Sequence, residues 1–145
     1  MVATTAEILA LLGQRAPRRP LEAEHKAEGL VRSGLPISVV GRLADTYAVS
    51  KSTIEHLLGV PATTRARRQK ADKPLKPSDS DRAFRLARTF ATAEHVLEDR
   101  AKARRWFVEP NHALDGERPL DILDTEAGTE RVLRLLYQIE YGTYS

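Results

Sequence analysis

Large apolar residues in this chain recur three and four apart, the spacing of helices with one buried face, and strand-like alternation is almost absent. Ile8, Leu9, Leu11 and Leu12 define a first short helix that Gly13 ends. A second runs from about Leu21 to Val31, stopped by Ser33-Gly34 and Pro36. The third covers about Ile37 to Tyr47 and uses Val39, Val40, Leu43, Ala44 and Tyr47. Ser50 is placed to cap a fourth, Lys51 to Leu58, whose Ile54, Leu57 and Leu58 point one way. Gly59-Val60-Pro61 separates it from a fifth, about Ala62 to Lys70.

The stretch Lys70 to Ser80, KADKPLKPSDS, interrupts the pattern with two prolines, no aromatic residue and Leu75 as its only large apolar side chain. It divides the chain into a front module, residues 1–73, and a back module, residues 74–145. Ser78-Asp79-Ser80-Asp81 offers several N-caps and puts negative charge where a helix dipole favours it. The following helix carries Ala83, Leu86, Ala87, Phe90, Ala93 and Leu97 on one side, and Ala103, Trp106 and Phe107 continue its spacing to Pro110-Asn111. Asp115-Gly116 makes a turn, and Pro119 starts a short helix through Leu123. Thr125 caps a last helix running to about Tyr141, closed by Gly142. The expected fold is all-α, in two modules.

Composition narrows the function of such a chain. No apolar run approaches the ~18–20 residues of a membrane span. The absence of cysteine excludes disulfides, zinc ribbons, iron–sulfur clusters and thiol nucleophiles. The start lacks a basic segment followed by an apolar stretch and a cleavage site, so a cytoplasmic protein is expected. Charge is unevenly spread. Residues 1–78 hold 13 Lys and Arg against 7 Asp and Glu, whereas from Trp106 onward 3 face 8. A basic front and an acidic back suit a polyanion at one end and a different partner at the other.

In the front module an eight-residue helix, a glycine, an apolar residue and a basic second helix are laid out as a helix-turn-helix. Lys51 to Leu58 is then the supporting helix, and Ala62 to Lys70 the one that enters the major groove. Arg65, Arg67, Arg68 and Lys70 are candidates for guanine edges or phosphates, and Thr63 and Thr64 for phosphate at the helix start. Ser50, Lys51 and Ser52 crowd the other helix N-terminus, also suited to phosphate. Arg65 departs from the layout, standing where such a hairpin buries an apolar residue. A single unit this small requires a dimer to read two half-sites about 34–36 Å apart.

The last helix carries two stripes. Val132, Leu135, Leu136 and Ile139 dock it on the module. Leu133, Tyr137, Glu140, Tyr141 and Tyr144 form a second stripe, so the helix is either buried centrally or meets a partner, and tyrosine favours interfaces. The histidines, at 25, 56, 95 and 112, have no ligand spacing on one helix turn, and H-E-x-x-H, G-x-S-x-G, G-x-G-x-x-G and P-loop patterns are absent. Neither catalysis nor a metal or cofactor is expected.

From Ser80 to the end the chain resembles the toxin-binding domain of Xre/MbcA/ParS antitoxins. The matching pieces are Ser80-Asp81-Arg82, Trp106 followed by Pro110-Asn111, Ala113-Leu114, Gly116 before Pro119-Leu120, Leu123, Thr125, Gly128, Val132 and Ile139-Glu140-Tyr141-Gly142. The front half is similar, more loosely, to the same family's helix-turn-helix, which reads Thr-Leu-x-Arg-Arg where this chain has Thr64-Arg65-Ala66-Arg67-Arg68. The resemblance implies an antitoxin of the bacterial cytoplasm that occludes the active-site cleft of a RES-domain toxin degrading NAD⁺. It also implies a DNA-binding front module that represses its own operon, acting as a homodimer within the toxin–antitoxin complex. The family's terminal helix and tail reach the cleft, which points here to Tyr137, Glu140, Tyr141, Gly142, Thr143, Tyr144 and Ser145. Two rivals stand beside this reading: a stand-alone helix-turn-helix regulator whose back half only dimerises, and an adaptor whose front half has lost DNA binding.

Overall fold

The computed structural model describes residues 3–142. Helices α1 (Thr5–Leu11), α2 (Pro20–Ser33), α3 (Val39–Tyr47), α4 (Lys51–Leu58) and α5 (Ala62–Lys70) form the front half. The back half holds α6 (Pro77–Leu97), α7 (Arg100–Val108), two short 3-10 turns (His112–Leu114 and Pro119–Ile122) and α8 (Glu126–Glu140). The described residues contain no strand. Local chemistry sets most ends. Thr4 and Glu7 form a capping box on α1, Ser50 accepts from the Thr53 N–H, and Thr125 accepts from the Gly128 N–H. Pro20 and Pro77 occupy first helical positions, where a missing N–H costs nothing.

Helix α6 organises everything else. It packs against α1, α2, α3, α4, α7 and α8. Ala83, Ala87, Ala91 and Ala93 let neighbours close in on several sides, while Leu86 and Phe90 fill the gaps between them. Buried Thr89 and Thr92 satisfy their hydroxyls within the helix, donating to the carbonyls of Arg85 and Arg88 at 2.8 Å each. Around Phe90, three helices meet through aromatic rings. Tyr47 of α3 lies edge-on to Phe90 and to Phe107 of α7, with centroids 5.0 and 4.9 Å apart. Its hydroxyl donates to the Leu86 carbonyl at 2.7 Å, and complete burial pushes its pKa well above the usual tyrosine value. Trp106 is half-buried and packs edge-on against Phe107.

The segment expected to divide the chain does not lie between two separate cores. One apolar cluster runs from Ile8 and Leu12 through α3, α4 and α6 to Leu136. Leu75 is buried in it, and its N–H donates to the Leu35 carbonyl at 2.9 Å. Ser80, expected among the N-caps, is buried instead, and its hydroxyl accepts from the Leu35 N–H at 2.8 Å. The helix starts three residues earlier, at Pro77.

Two arginines of the back half tie it to helix ends of the front half. Arg82 donates to the Leu58 carbonyl at 3.0 Å, and Arg104 to the carbonyls of Thr46 and Asp45 at 2.9 and 3.0 Å. Each guanidinium meets carbonyls at a helix C-terminus, the negative end of its dipole, where Asp45 also accepts from the Ala48 N–H.

The long helix expected from Asp81 to Phe107 is in fact two. Glu98 adopts a left-handed conformation (φ +59°), and Asp99 caps α7 by accepting from the Lys102 N–H at 2.8 Å. Helix α7 turns back on α6, stacking Phe107 on Phe90 with centroids 5.8 Å apart, and each helix keeps an apolar face of helical spacing, so the pattern alone does not mark the break. Gly128 explains how α8 seats: a methyl group there would lie 1.7 Å from the Ile122 carbonyl oxygen. Replacing Gly128→Ala should therefore lower stability by about 1–3 kcal/mol through overpacking, read as a reduced urea midpoint at unchanged slope.

Candidate functional site

Two surfaces gather the residues of interest. On the front half, Gly59 ends α4 in a left-handed conformation (φ +70°) that glycine adopts without strain. Val60 then turns inward and α5 departs with none of its residues buried. Thr63, Arg67 and Lys70 are exposed, and Arg67 and Lys70 make no ion pair among the described residues. Thr64 is half-buried. Arg68 folds back, donating to the Pro74 carbonyl at 2.8 Å. Lys51 and Ser52 are exposed at the start of α4, with the Lys51 stem lying over Gly41. Ser50 already serves as a cap, its oxygen 3.1 Å from the Thr53 nitrogen.

Arg65 does something the sequence reading did not anticipate. It bonds the carboxylate of Glu55, which is only 6% exposed on α4, and donates to Gln69 at 2.8 Å. The arginine that replaces an expected apolar residue is thus matched by a buried acid facing it. Two residues that break the apolar pattern on facing helices of one hairpin were the available signal. Arg65 therefore fixes α5 to α4, and its guanidinium is turned toward the protein.

On the back half, α8 presents different chemistry on its two flanks. Leu133, 5% exposed, and half-buried Tyr137 line a groove of about 400 Å³ with Arg88, Glu130 and Arg134. Glu140 lines a separate cleft of about 670 Å³ with Glu7, Glu94, His95, Glu98, Asp99 and Arg100. The stripe expected along one face is divided between these two concavities. At the helix end Tyr141 is 67% exposed and Gly142 is exposed; Thr143, Tyr144 and Ser145 lie outside the described residues.

The second cleft is acidic, and it was not legible beforehand because its carboxylates come from three separated segments. Arg100 pairs with Glu94 at 2.7 Å. His95 bonds Glu7, joining α6 to α1. Burial acts to raise the Glu7 pKa, but the hydrogen bonds with His95 and Thr4 outweigh it and hold the carboxyl below its usual value. This tie contributes above the unfolded carboxylate range and is lost as pH falls through the lowered folded value. No helix among the described residues is long and apolar enough to cross a membrane.

Comparison with known proteins matches both halves. Residues 26–88 match the antitoxin Xre-like helix-turn-helix domain, and residues 92–142 match the antitoxin Xre/MbcA/ParS C-terminal toxin-binding domain. An antitoxin Xre of Pseudomonas putida is 39% identical over 83 residues, covering 57% of this chain and 52% of that protein; the chain spans about half the length of this relative. A Prs ADP-ribosylating antitoxin of a Sphingobium strain is 26% identical over 126 residues, covering 81% of this chain and 79% of that one. In fold, the chain is similar to one from the Mycobacterium tuberculosis MbcT–MbcA toxin–antitoxin complex, with TM-score 0.55 and 20% identity over 75% of this chain and 96% of the other. A helical chain with a helix-turn-helix domain followed by a toxin-binding domain is an antitoxin of a toxin–antitoxin system. It belongs to the Xre/MbcA/ParS family.

The Glu55–Arg65 pair generates a test. Arg65→Leu alone strands a buried carboxylate and should cost roughly 2–3 kcal/mol, somewhat less than a fully buried pair because the arginine is partly solvated. The double change Glu55→Leu/Arg65→Leu should recover most of that loss in urea unfolding.

Proposed function

We propose that this antitoxin neutralises a RES-domain toxin that degrades NAD⁺, by inserting the end of α8 and the tail into the toxin's active-site cleft. The observation that carries this reading is the exposed Tyr141 at the end of a helix whose Glu140 lines an acidic cleft. An enzyme cleft that binds a dinucleotide holds its phosphates with basic groups, and the carboxylates of Glu140, Glu94, Glu98 and Asp99 are complementary to such groups. Tyr141 and Tyr144 supply rings able to take the place of a nucleotide base, with Gly142, Thr143 and Ser145 beside them and half-buried Tyr137 flanking the inserted end. In this role the chain is an inhibitor with no chemistry of its own, working in the bacterial cytoplasm.

The front half is the autorepressor in this proposal. Exposed Arg67, Lys70 and Thr63 on α5, with Lys51 and Ser52 on α4, make the surface offered to operator DNA, while Thr64, Arg68 and Ser50 act nearer the protein. A homodimer within the toxin complex brings two such surfaces to two half-sites. The Sphingobium relative is named a Prs ADP-ribosylating antitoxin, which favours as a second reading a partner whose chemistry is ADP-ribosylation, a reaction that also consumes NAD⁺.

Expressing the adjacent gene alone and with this chain, while following growth and cellular NAD⁺, tests the reading. Arrest with NAD⁺ loss, both reversed by the antitoxin, is the expected result. Rescue with NAD⁺ unchanged throughout discards the degrading toxin, and a harmless neighbour leaves the stand-alone regulator. Removing residues 141–145 should abolish rescue while the helical circular dichroism is kept. For the front half, Arg67→Ala/Lys70→Ala should weaken a gel shift on upstream DNA at every salt concentration and flatten its salt dependence by about one to two counterions.

A further inference from the structure

Along the outer seam between α6 and α8, one ion pair is made and a neighbouring one is not. Arg85 donates to Glu126 at 2.6 Å. One turn further along each helix stand Arg88 and Glu130, both lining the groove of Leu133, Arg134 and Tyr137, yet no hydrogen bond or ion pair joins them. The Arg88 Nε is removed from water and has no hydrogen-bond partner. A buried N–H without an acceptor is rare in folded proteins, and a functional groove is one of the places where it is retained. Arg134, on the same groove, is exposed and also unpaired among the described residues.

The lining specifies what would satisfy it. Two guanidinium groups and one carboxylate leave a single net positive charge, which one incoming carboxylate neutralises. A guanidinium binds a carboxylate through parallel N–H donors, of which Nε is one, and a rotation of the Arg88 side chain on partner entry would bring its occluded Nε and a terminal N–H onto one carboxylate. Leu133 and the Tyr137 ring offer apolar surface for the stem of the side chain that bears it. A phosphate, with its larger charge, would meet Glu130 unfavourably. The position also fits a protein partner, because Tyr137 continues toward exposed Tyr141 on the same helix.

We propose that this groove is a docking slot for an acidic side chain, Asp or Glu, of the toxin, held by Arg88 and Arg134 and packed against Leu133 and Tyr137. The proposal rests on the toxin-inhibitor reading and adds to it a second, oppositely charged contact. The slot is basic and the cleft around Glu140 is acidic, so the partner must present an acidic group to one flank of α8 and basic groups to the other. Such a pattern fixes the orientation in which the helix enters.

The test uses the full chain and the product of the adjacent gene, with growth rescue and a competition titration for affinity. Arg88→Gln/Arg134→Gln should weaken the complex by roughly 30-fold or more, as expected for loss of a desolvated charged contact. Glu130→Gln should tighten it by about two- to fivefold by removing the competing charge. The urea midpoint and the upstream-DNA shift of both variants should match wild type. If the double variant unfolds, the exposed Arg134→Gln alone should still weaken binding by about fivefold. Wild-type rescue together with variant affinities within twofold of wild type overturns the slot and leaves the inhibitor reading standing. Failure of the wild-type chain to bind or rescue takes both down. Loss of DNA binding by Arg88→Gln/Arg134→Gln, with toxin affinity retained, reassigns the groove to nucleic-acid phosphate and overturns the proposal.

Discussion

A helix wrapped by neighbours on most of its circumference cannot have one apolar stripe and one wet face. It needs small residues where other helices cross and bulky ones where they diverge. Helix α6 answers that requirement with Ala83, Ala87, Ala91 and Ala93 beside Leu86 and Phe90, and it tolerates buried hydroxyls because Thr89 and Thr92 bond to its own carbonyls. From this wall the rest of the structure takes its position. Tyr47 brings α3 to it, Phe107 brings α7, and α8 lies along it with Gly128 pressed on the preceding turn. The helix that ends in exposed Tyr141 and the helices that precede the basic hairpin are therefore positioned by the same surface.

Packing and function pull apart at α5. Helix α5 carries Arg67 and Lys70 on its outer face and buries no residue at all, so apolar packing contributes little to its docking. The Glu55–Arg65 pair substitutes a directional bond for that packing. Burying a charged pair gains little over an apolar contact, but it holds the helix at a defined rotation. With Arg65 turned inward, Arg67 and Lys70 are left facing out.

Periodicity and end signals made most of the helices legible: apolar spacing found those with a buried face, the Gly59-Val60-Pro61 turn set off α5, and Ser50, Thr125, Gly59 and Pro119 marked ends that the structure shares. Three kinds of feature were not legible. The break at Glu98 separates two helices that each keep helical apolar spacing, so the pattern passes over it. Ser80 caps a loop 45 residues away, and its burial is decided by Leu35. The acidic cleft unites Glu7, Glu94 and Glu140, whose proximity exists only after α1 and α8 have packed on α6. Of the site, the exposed end of α8 and the basic α5 could be read in advance, whereas the inward pairing of Arg65 and the Arg88 groove depend on tertiary contact.

One family match ends at residue 88 and the other begins at residue 92, both inside α6. Arg104 then reaches from the second matched piece to the end of α3 in the first, while Arg82, within the first, ties α6 to the end of α4. The halves thus do not behave as cassettes. A hybrid antitoxin joined at residue 73 would part Leu75 and Ser80 from Leu35 and leave the carbonyl ends of α3 and α4 facing foreign residues. Change on either outer surface can proceed by substitution only while the shared wall of α6 is carried over intact.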